Sequence, residues 1–342
     1  MKAWWIDHTA PLTGPVRDGP LRFGHLPDPV PGARELLVQV RVCGVCRTDL
    51  HLAEGDLQPH RRHAVPGHEV VGTVLEAGAG CTRFRVGERV GIAWLRSTCG
   101  NCRFCRRGAE NLCLAPRFTG WDDDGGYAER ATVPEDFAYR IPDEFTDEQA
   151  APLLCAGIIG YRALRRSALR PGGRLGIYGF GASAHLAAQV AMYEGAEVYV
   201  MTRSGTAQDL AARLGAAFVG GAEDEPPELL DAAILFAPAG SLVPAALRAL
   251  DRGGTLAVAG IYLSAIPPLD YTAELFQERQ LRSVTANTRR DGEELLELAA
   301  RIPLRPTTVS YPLEQAGQAL RDLAADRITG AAVLRVSAGS AP

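Results

Sequence analysis

Four cysteines lie within fifteen residues, at Cys99, Cys102, Cys105 and Cys113, in a C-x2-C-x2-C-x7-C pattern. Thiolates this close on a loop can surround one tetrahedral zinc and close its coordination sphere, leaving no open position for chemistry. Iron–sulfur clusters and disulfide sets use similar spacings, and the ligand spacing here favours zinc. Such a metal would pin a loop that has no hydrophobic core of its own.

A second group can do chemistry. The run Cys43-Gly44-Val45-Cys46-Arg47-Thr48-Asp49-Leu50-His51 sets a thiol, a hydroxyl, a carboxylate and an imidazole close together after a predicted strand, and Pro66-Gly67-His68-Glu69 offers a His-Glu pair at another strand start. Taken singly, a cysteine is usually a small core residue and a histidine a satisfied polar one. With Cys155, in Leu153-Leu154-Cys155-Ala156-Gly157 at the predicted domain junction, these segments can supply two sulfurs and one nitrogen to a zinc. Three protein ligands leave a fourth position for water or substrate, which is the catalytic arrangement.

The third motif is Gly179-Phe180-Gly181-Ala182-Ser183-Ala184, which follows a predicted strand and opens a predicted helix. In that context, Gly179 and Gly181 allow a tight turn and close approach of a pyrophosphate to helix N–H groups. Ala184 replaces the third glycine, and His185 follows it. The next predicted strand ends in Met201-Thr202-Arg203-Ser204, with no carboxylate to accept hydrogen bonds from a ribose 2′-OH. Arg203 and the hydroxyls of Thr202 and Ser204 suit a 2′-phosphate instead, so NADP(H) is expected over NAD(H).

These residues need two kinds of scaffold. Up to about residue 150 the chain reads as short strands between Gly/Pro punctuation, such as 35–42 and 69–76, a β-rich, barrel-like domain. From about 157 the pattern turns to strands (174–178, 197–201, 232–236, 255–259, 281–284) alternating with helices near 182–194, 206–214 and 241–250. That is the rhythm of a doubly wound parallel sheet. A Glu- and Leu-rich helix after about 290, then strands at 309–313 and 332–336, suggest a return to the first domain.

Motifs in this order resemble the zinc-containing alcohol dehydrogenases of the medium-chain dehydrogenase/reductase family over nearly the whole chain. The matching runs are G-V-C-x-T-D-L-H (44–51), G-H-E (67–69), the four-cysteine lobe, L-C-A-G (154–157) and the glycine-rich turn (179–184). The resemblance implies an α/β protein with a GroES-like catalytic domain (1–155), a Rossmann nucleotide-binding domain (156–290) and a C-terminal segment (291–342) that rejoins the first. It makes Cys46, His68 and Cys155 the catalytic zinc ligands and Asp49 the carboxylate orienting His68. It also places Glu69 behind the metal and makes Thr48 and His51 a proton relay through the cofactor ribose. Arg47 resembles a cofactor-phosphate contact, and Ile261 joins Gly179, Gly181, Ala182, Ser183, Thr202, Arg203 and Ser204 as a candidate contact. Where the family often has a second phosphate-binding arginine, after Gly330, this chain has Ala331. Trp94 resembles a pocket wall, and Leu57 stands where ethanol-preferring members often have tryptophan, which predicts medium-chain, allylic or benzylic primary alcohols or their aldehydes. Cys43 and Cys81 match no ligand position and are assigned to packing.

Size and composition agree. At 342 residues with 46% hydrophobic composition, two domains are the default. A net charge of -4 without a long basic run argues against nucleic acid or an anionic membrane as partner. No apolar run approaches a membrane span or a signal peptide, and cytoplasm is the expected compartment. A homodimer or homotetramer is expected, with 255–261 and 269–276 as contact regions. Two rivals remain: a zinc-stabilised binding protein without catalysis, and a zinc-independent reductase of the same superfamily acting on conjugated double bonds.

Overall fold

The computed structural model describes residues 1–12 and 19–336. The chain opens on β1 (Lys2–Ile6) and β2 (Leu21–His25), paired antiparallel. β3 (Glu35–Val45) then alternates between buried and more exposed residues up to Val42. From Val42 to Val45 every residue is buried, because the strand end runs beneath the candidate site. α1 (Arg47–Glu54), β4 (Val70–Ala77), β5 (Arg89–Ile92) and β6 (Leu95–Ser97) follow. The four-cysteine loop holds the short α2 (Arg103–Arg106) and is closed by β7 (Arg117–Phe118), which pairs with β6. β8 (Arg130–Pro134), β9 (Ala138–Arg140) and α3 (Asp147–Ala150) complete this stretch.

A second unit begins with α4 (Ala156–Arg166) and β10 (Arg174–Tyr178). It continues through α5 (Ala182–Tyr193), β11 (Glu197–Met201), α6 (Gly205–Leu214), β12 (Phe218–Gly220), β13 (Leu230–Leu235), α7 (Leu242–Arg248), β14 (Leu250–Val258) and β15 (Gln280–Ser283). All these strands pair in parallel, in the order β12-β11-β10-β13-β14-β15, the doubly wound arrangement the alternating pattern predicts. Its core includes Tyr178, Met201, Leu235, Val243, Leu247 and Leu256.

From Ala286 the chain packs again with the first unit, apart from Ile302–Arg305. α8 (Arg289–Ala299), β16 (Thr308–Pro312), α9 (Ala316–Ala324) and β17 (Ala331–Arg335) lie in this return. β17 pairs antiparallel with β3, so the last described strand joins the sheet that carries the 43–51 motif. That sheet runs β16-β17-β3-β4-β5-β9, with β8 also on β3. Leu36, Val38 and Val40 of β3 pack in one core with Val70, Val74, Val90, Ile92, Val133 and Leu334.

Three local features depart from the expected elements. The ligand-bearing turn after residue 46 is a helix, α1. β12 spans only Phe218–Gly220, too short to show alternation. The helix expected to reach 250 ends at Arg248, because Leu250 pairs with Leu230 in the sheet. No helix among the described residues is long and apolar enough to cross a membrane.

The four-cysteine loop is tethered by an ion pair. Arg289, at the start of α8, donates from Nε to both Glu110 oxygens at 3.1 Å and stacks over Phe137 at 4.6 Å. Burial pushes the Glu110 carboxyl up, but the Arg289 hydrogen bonds and charge more than offset this and hold it below its ordinary value. A depressed carboxylate stabilises the fold above its unfolded pKa, and that contribution is lost as pH falls through the folded value. At neutral pH, Glu110→Gln should therefore lower stability by roughly 0.5–1 kcal/mol, discounted for partial exposure. Thermal unfolding at stepped pH checks this: the gap to wild type should close on acidification, and a constant gap would place the effect elsewhere.

Candidate active site and metal centres

Where β3 ends, Cys46 caps the N-terminus of α1 in extended conformation. Its N–H donates to Asp49 Oδ2 at 2.9 Å, the reach-back of a residue in the helix's first turn to its cap. Asp49 is 2% exposed, and its Oδ1 accepts a second bond from Gly67 N–H at 2.9 Å. The Tyr127 hydroxyl donates to Oδ2 at 3.3 Å, and His68 Nδ1 lies 3.3 Å from Oδ1. One buried carboxylate thus ties three segments distant in sequence.

Close backbone approach makes this assembly depend on glycine. Gly67 has φ +99°, and a Cβ there would meet Tyr127 Cδ1 at 2.4 Å and Cys43 Sγ at 2.7 Å. A Cβ at Gly44 would fall 1.8 Å from Glu69 Oε2. Cys43 is fully buried in the core and belongs to no ligand cluster, consistent with packing.

Among the described residues, ligand atoms of His, Cys, Asp and Glu converge in two groups of three or more, each within 4.8 Å: Cys46, His68, Glu69 and Cys155, and Cys99, Cys102, Cys105 and Cys113. In the first group the Cys46 and Cys155 sulfurs stand 4.0 Å apart. Two thiolates about 2.3 Å from one tetrahedral zinc are separated by about 3.8 Å, so the spacing fits that metal. His68 is 1% exposed; its Nδ1 stands 3.3 Å from Asp49 Oδ1, while the buried Nε2 has no hydrogen-bond partner, an arrangement a metal on Nε2 would satisfy.

The electrostatics of the group suit a cation. Cys46 shares a hydrogen bond with Cys155, which lowers the Cys46 thiol and raises that of Cys155, so the two sulfurs titrate as one pair holding a proton between them. Burial opposes a charge on His68, but Asp49 and Cys46 beside it hold its pKa well above the ordinary value. Burial, then Cys46, pushes the Glu69 carboxyl up. Glu69, expected behind the metal, has a carboxylate oxygen within 4.8 Å of the Cys46, His68 and Cys155 ligand atoms. Thr48 Oγ1 sits 3.8 Å from Cys46 Sγ, and His51, one turn on, pairs with Asp56.

In the lobe, Cys102 and Cys105 sulfurs lie 3.5 Å apart, as do those of Cys99 and Cys113. Backbone N–H groups of Cys99 and Ala115 donate to Cys113 Sγ at 3.3 and 3.4 Å. The Cys105 N–H approaches Cys102 Sγ, and such bonds help bring that thiol down to about 6. N–H donors aimed at sulfur favour the thiolates a zinc requires.

The glycine-rich turn follows β10, beside β13, where the strand order reverses. Gly179 has φ +84°, and a Cβ there would meet Ala237 at 2.8 Å, so glycine is required twice over. Gly181 has open space where a Cβ would stand, at the N-terminus of α5 formed by Ala182 and Ser183. The close packing expected of the third glycine is met differently: a Cβ on Gly160 of α4 would lie 2.7 Å from Ser183 O. His185 is buried in α5, and burial pushes it down to about 4, so it is neutral. Thr202 is buried at the end of β11, Arg203 is exposed, and Ser204 caps α6, while Ile261 is 45% exposed. Arg47 pairs with Asp326 on the turn after α9.

Trp94 and Leu57 are half-buried. Trp94 packs edge-on against His68, with ring centroids 4.9 Å apart, and stacks with Phe118 at 4.8 Å and Trp121 at 6.0 Å. Phe118, Trp121, Tyr127 and Asp56 were not singled out from the sequence; isolated aromatics and a lone Asp give no periodic signal. The adjacent glycines at 125 and 126 were a hint of close approach, since a Cβ at Gly125 would meet Gly67 O at 2.0 Å.

Comparison with known proteins places this architecture. Residues 32–143 match the alcohol dehydrogenase GroES-like domain and residues 182–301 the zinc-binding dehydrogenase family. The chain is 58% identical over 341 residues to a probable alcohol dehydrogenase of Mycobacterium tuberculosis, covering 98% of this chain and 97% of that one. Its fold is similar to a cinnamyl alcohol dehydrogenase from Sorghum bicolor (TM-score 0.86, 27% identity, 98% of both chains). It is also similar to a cobalt- and zinc-bound thermostable alcohol dehydrogenase from Pyrobaculum aerophilum (TM-score 0.87, 25% identity, 98% and 99% of the two chains). The chain belongs to the alcohol dehydrogenases of the medium-chain dehydrogenase/reductase family, and it is an oxidoreductase of that activity.

If Asp49 orients His68, Asp49→Asn should weaken zinc binding at the Cys46 site by roughly 10- to 100-fold. Competition with a chromogenic chelator would read this as one zinc released early and one retained. Equal retention of both would remove Asp49 from the metal's support.

Proposed function

We propose that this alcohol dehydrogenase holds a catalytic zinc on Cys46, His68 and Cys155 and a structural zinc on Cys99, Cys102, Cys105 and Cys113. Its substrates are medium-chain, allylic or benzylic primary alcohols and their aldehydes, with NADP(H) preferred to NAD(H). The observation that carries the reading is the buried His68 Nε2, without a hydrogen-bond partner while Nδ1 faces Asp49, beside two sulfurs 4.0 Å apart. The zinc in the named Pyrobaculum structure supports it by likeness.

When bound, zinc supplies a Lewis acid that eases loss of the substrate hydroxyl proton, and the nicotinamide supplies the hydride acceptor. Cys46, His68 and Cys155 would hold the metal as three ligands with the substrate oxygen as a further one, and Glu69 lies near enough to compete with it. Thr48, beside Cys46, accepts the hydroxyl proton and releases its own towards the cofactor ribose, from which His51, one turn further along α1, would receive a proton. Gly179, Gly181, Ala182 and Ser183 offer N–H groups and open space to the pyrophosphate, and Arg47 is a further phosphate partner. Thr202, Arg203 and Ser204 receive the 2′-phosphate, and Ile261 contributes an apolar contact.

Trp94 against His68, stacked with Phe118 and Trp121, makes one wall flat and aromatic, which suits an allylic or benzylic group. Leu57, smaller than tryptophan, leaves room for it. We also propose a homodimer or homotetramer through the nucleotide-binding unit. Tyr271 and Phe276, 63% and 61% exposed and packed on each other, support that face.

Metal content and turnover of wild type and Cys46→Ser provide the test. Two zincs per chain should fall to one in the variant, with aldehyde reduction reduced at least about a hundredfold. One zinc and unchanged turnover would sink the catalytic assignment. In the same assays benzyl alcohol and butanol should surpass ethanol in kcat/KM, and the reverse order would overturn the substrate class. Arg203→Ala should lower kcat/KM for NADPH by about tenfold and leave NADH nearly unchanged; equal effects would discard the NADP(H) preference.

A further inference from the structure

The turn that ends α1 places a carboxylate on His51. Gly55, with φ +92°, closes the helix, and the N–H groups of Gly55 and Leu57 both donate to His51 O, at 3.0 and 3.1 Å. The reversal sets Asp56 Oδ2 2.9 Å from His51 Nδ1. Packing against the N-terminal segment leaves no room for a side chain at the turn: a Cβ on Gly55 would meet Thr9 Cβ at 2.9 Å. The His51 side chain is 15% exposed and that of Asp56 53%, so the imidazole is the more buried member of the pair and the carboxylate meets solvent.

An exposed ion pair in this geometry contributes little to stability. Its consequence for an imidazole is larger, because the partner of one ring nitrogen decides which nitrogen carries the lone pair. We propose that Asp56 is a positioning residue for proton transfer: it holds His51 as the Nδ1–H tautomer and fixes the ring, so that Nε2 is the atom that receives the proton.

The inference rests on the reading of Thr48 and His51 as a relay. In alcohol oxidation the C–H bond would break with hydride passing to the nicotinamide, and the O–H proton would pass to Thr48 Oγ1 as the Thr48 hydroxyl gives up its own proton towards the cofactor ribose. The ribose hydroxyl would in turn release a proton to His51 Nε2, while the Nδ1–H bond to Asp56 stays intact and the carboxylate balances the imidazolium charge. Proton release to solvent then restores the neutral ring. In aldehyde reduction the same groups run in reverse.

The test uses zinc-loaded enzyme labelled with 15N-histidine, studied well above the ordinary histidine pKa. The chain has seven histidines, so the His51 resonances are assigned by their loss in His51→Gln. Wild type should show Nδ1–H. Asp56→Ala should shift the ring towards Nε2–H and lower the single-turnover hydride-transfer rate by about tenfold, with KM changed less than about twofold. Asp56→Asn, which keeps an acceptor, should restore the tautomer and most of the rate. In a His51→Gln background, Asp56→Ala should cost nothing further. An unchanged tautomer and rate in Asp56→Ala, with His51→Gln still slow, would overturn the role of Asp56 and leave the relay standing. Equal losses in both backgrounds would mark Asp56 as merely structural and equally overturn the proposal. A His51→Gln enzyme as fast as wild type would remove the relay itself, and the role of Asp56 with it.

Discussion

The Asp49 carboxylate is the constraint on which the site depends. A buried carboxylate must be met by hydrogen-bond donors or a positive partner, because an unmet charge in a protein interior costs several kcal/mol. Asp49 meets that demand with the N–H of Cys46, the N–H of Gly67, the Tyr127 hydroxyl and the neighbouring His68 ring. Satisfying one group therefore fixes the distance between the start of α1 and the loop before β4. Cys46 and His68 ride on those two segments, so their convergence follows from the burial of a third residue. The glycines at 44 and 67 are the corollary, since Glu69, Tyr127 and Cys43 occupy the space where their side chains would be.

The first unit and the second solve different problems. In the first, a mostly antiparallel sheet with one strand buried along its final residues supports a cluster of sulfur, nitrogen and carboxylate donors that suits a cation. The lobe of four cysteines, with little apolar burial, is built instead on N–H groups directed at sulfur and on Arg289 gripping Glu110. In the second, a parallel sheet puts a tight glycine turn where the strand order reverses, and the helix beyond it is packed by Gly160 rather than by a glycine in the fingerprint. Ala184 is compatible with the motif because the close approach has moved to a neighbouring helix.

Charge pairs at the rim modify these frameworks. Asp326 sits on Arg47, a candidate phosphate contact, and Asp56 sits on His51, a candidate proton acceptor. Both carboxylates arrive from turns after helices, at positions where a left-handed residue, Gly55 or Asp326 itself, reverses the chain. Each makes its cationic or basic partner part of a pair, with orientation and charge set together.

Much of this was legible in the residues alone. Strand periodicity and the βαβ rhythm marked the doubly wound sheet, since side-chain alternation and helix spacing are local properties. Ligand spacing in Cys99–Cys113 was legible for the same reason: a chain of fifteen residues can close around one metal whatever lies elsewhere. The glycine turn was readable because strand, turn and helix are contiguous. By contrast, the meeting of Cys46, His68 and Cys155 was suggested only by motif order, because separations of 22 and 87 residues are set by topology. The Trp94–Phe118–Trp121 wall, the Tyr127 hydrogen bond, the compensation at Gly160 and the placing of Asp56 on His51 belong to tertiary structure alone. Each depends on which surfaces pack and where the backbone reverses, and neither residue type nor spacing along the chain encodes those distances.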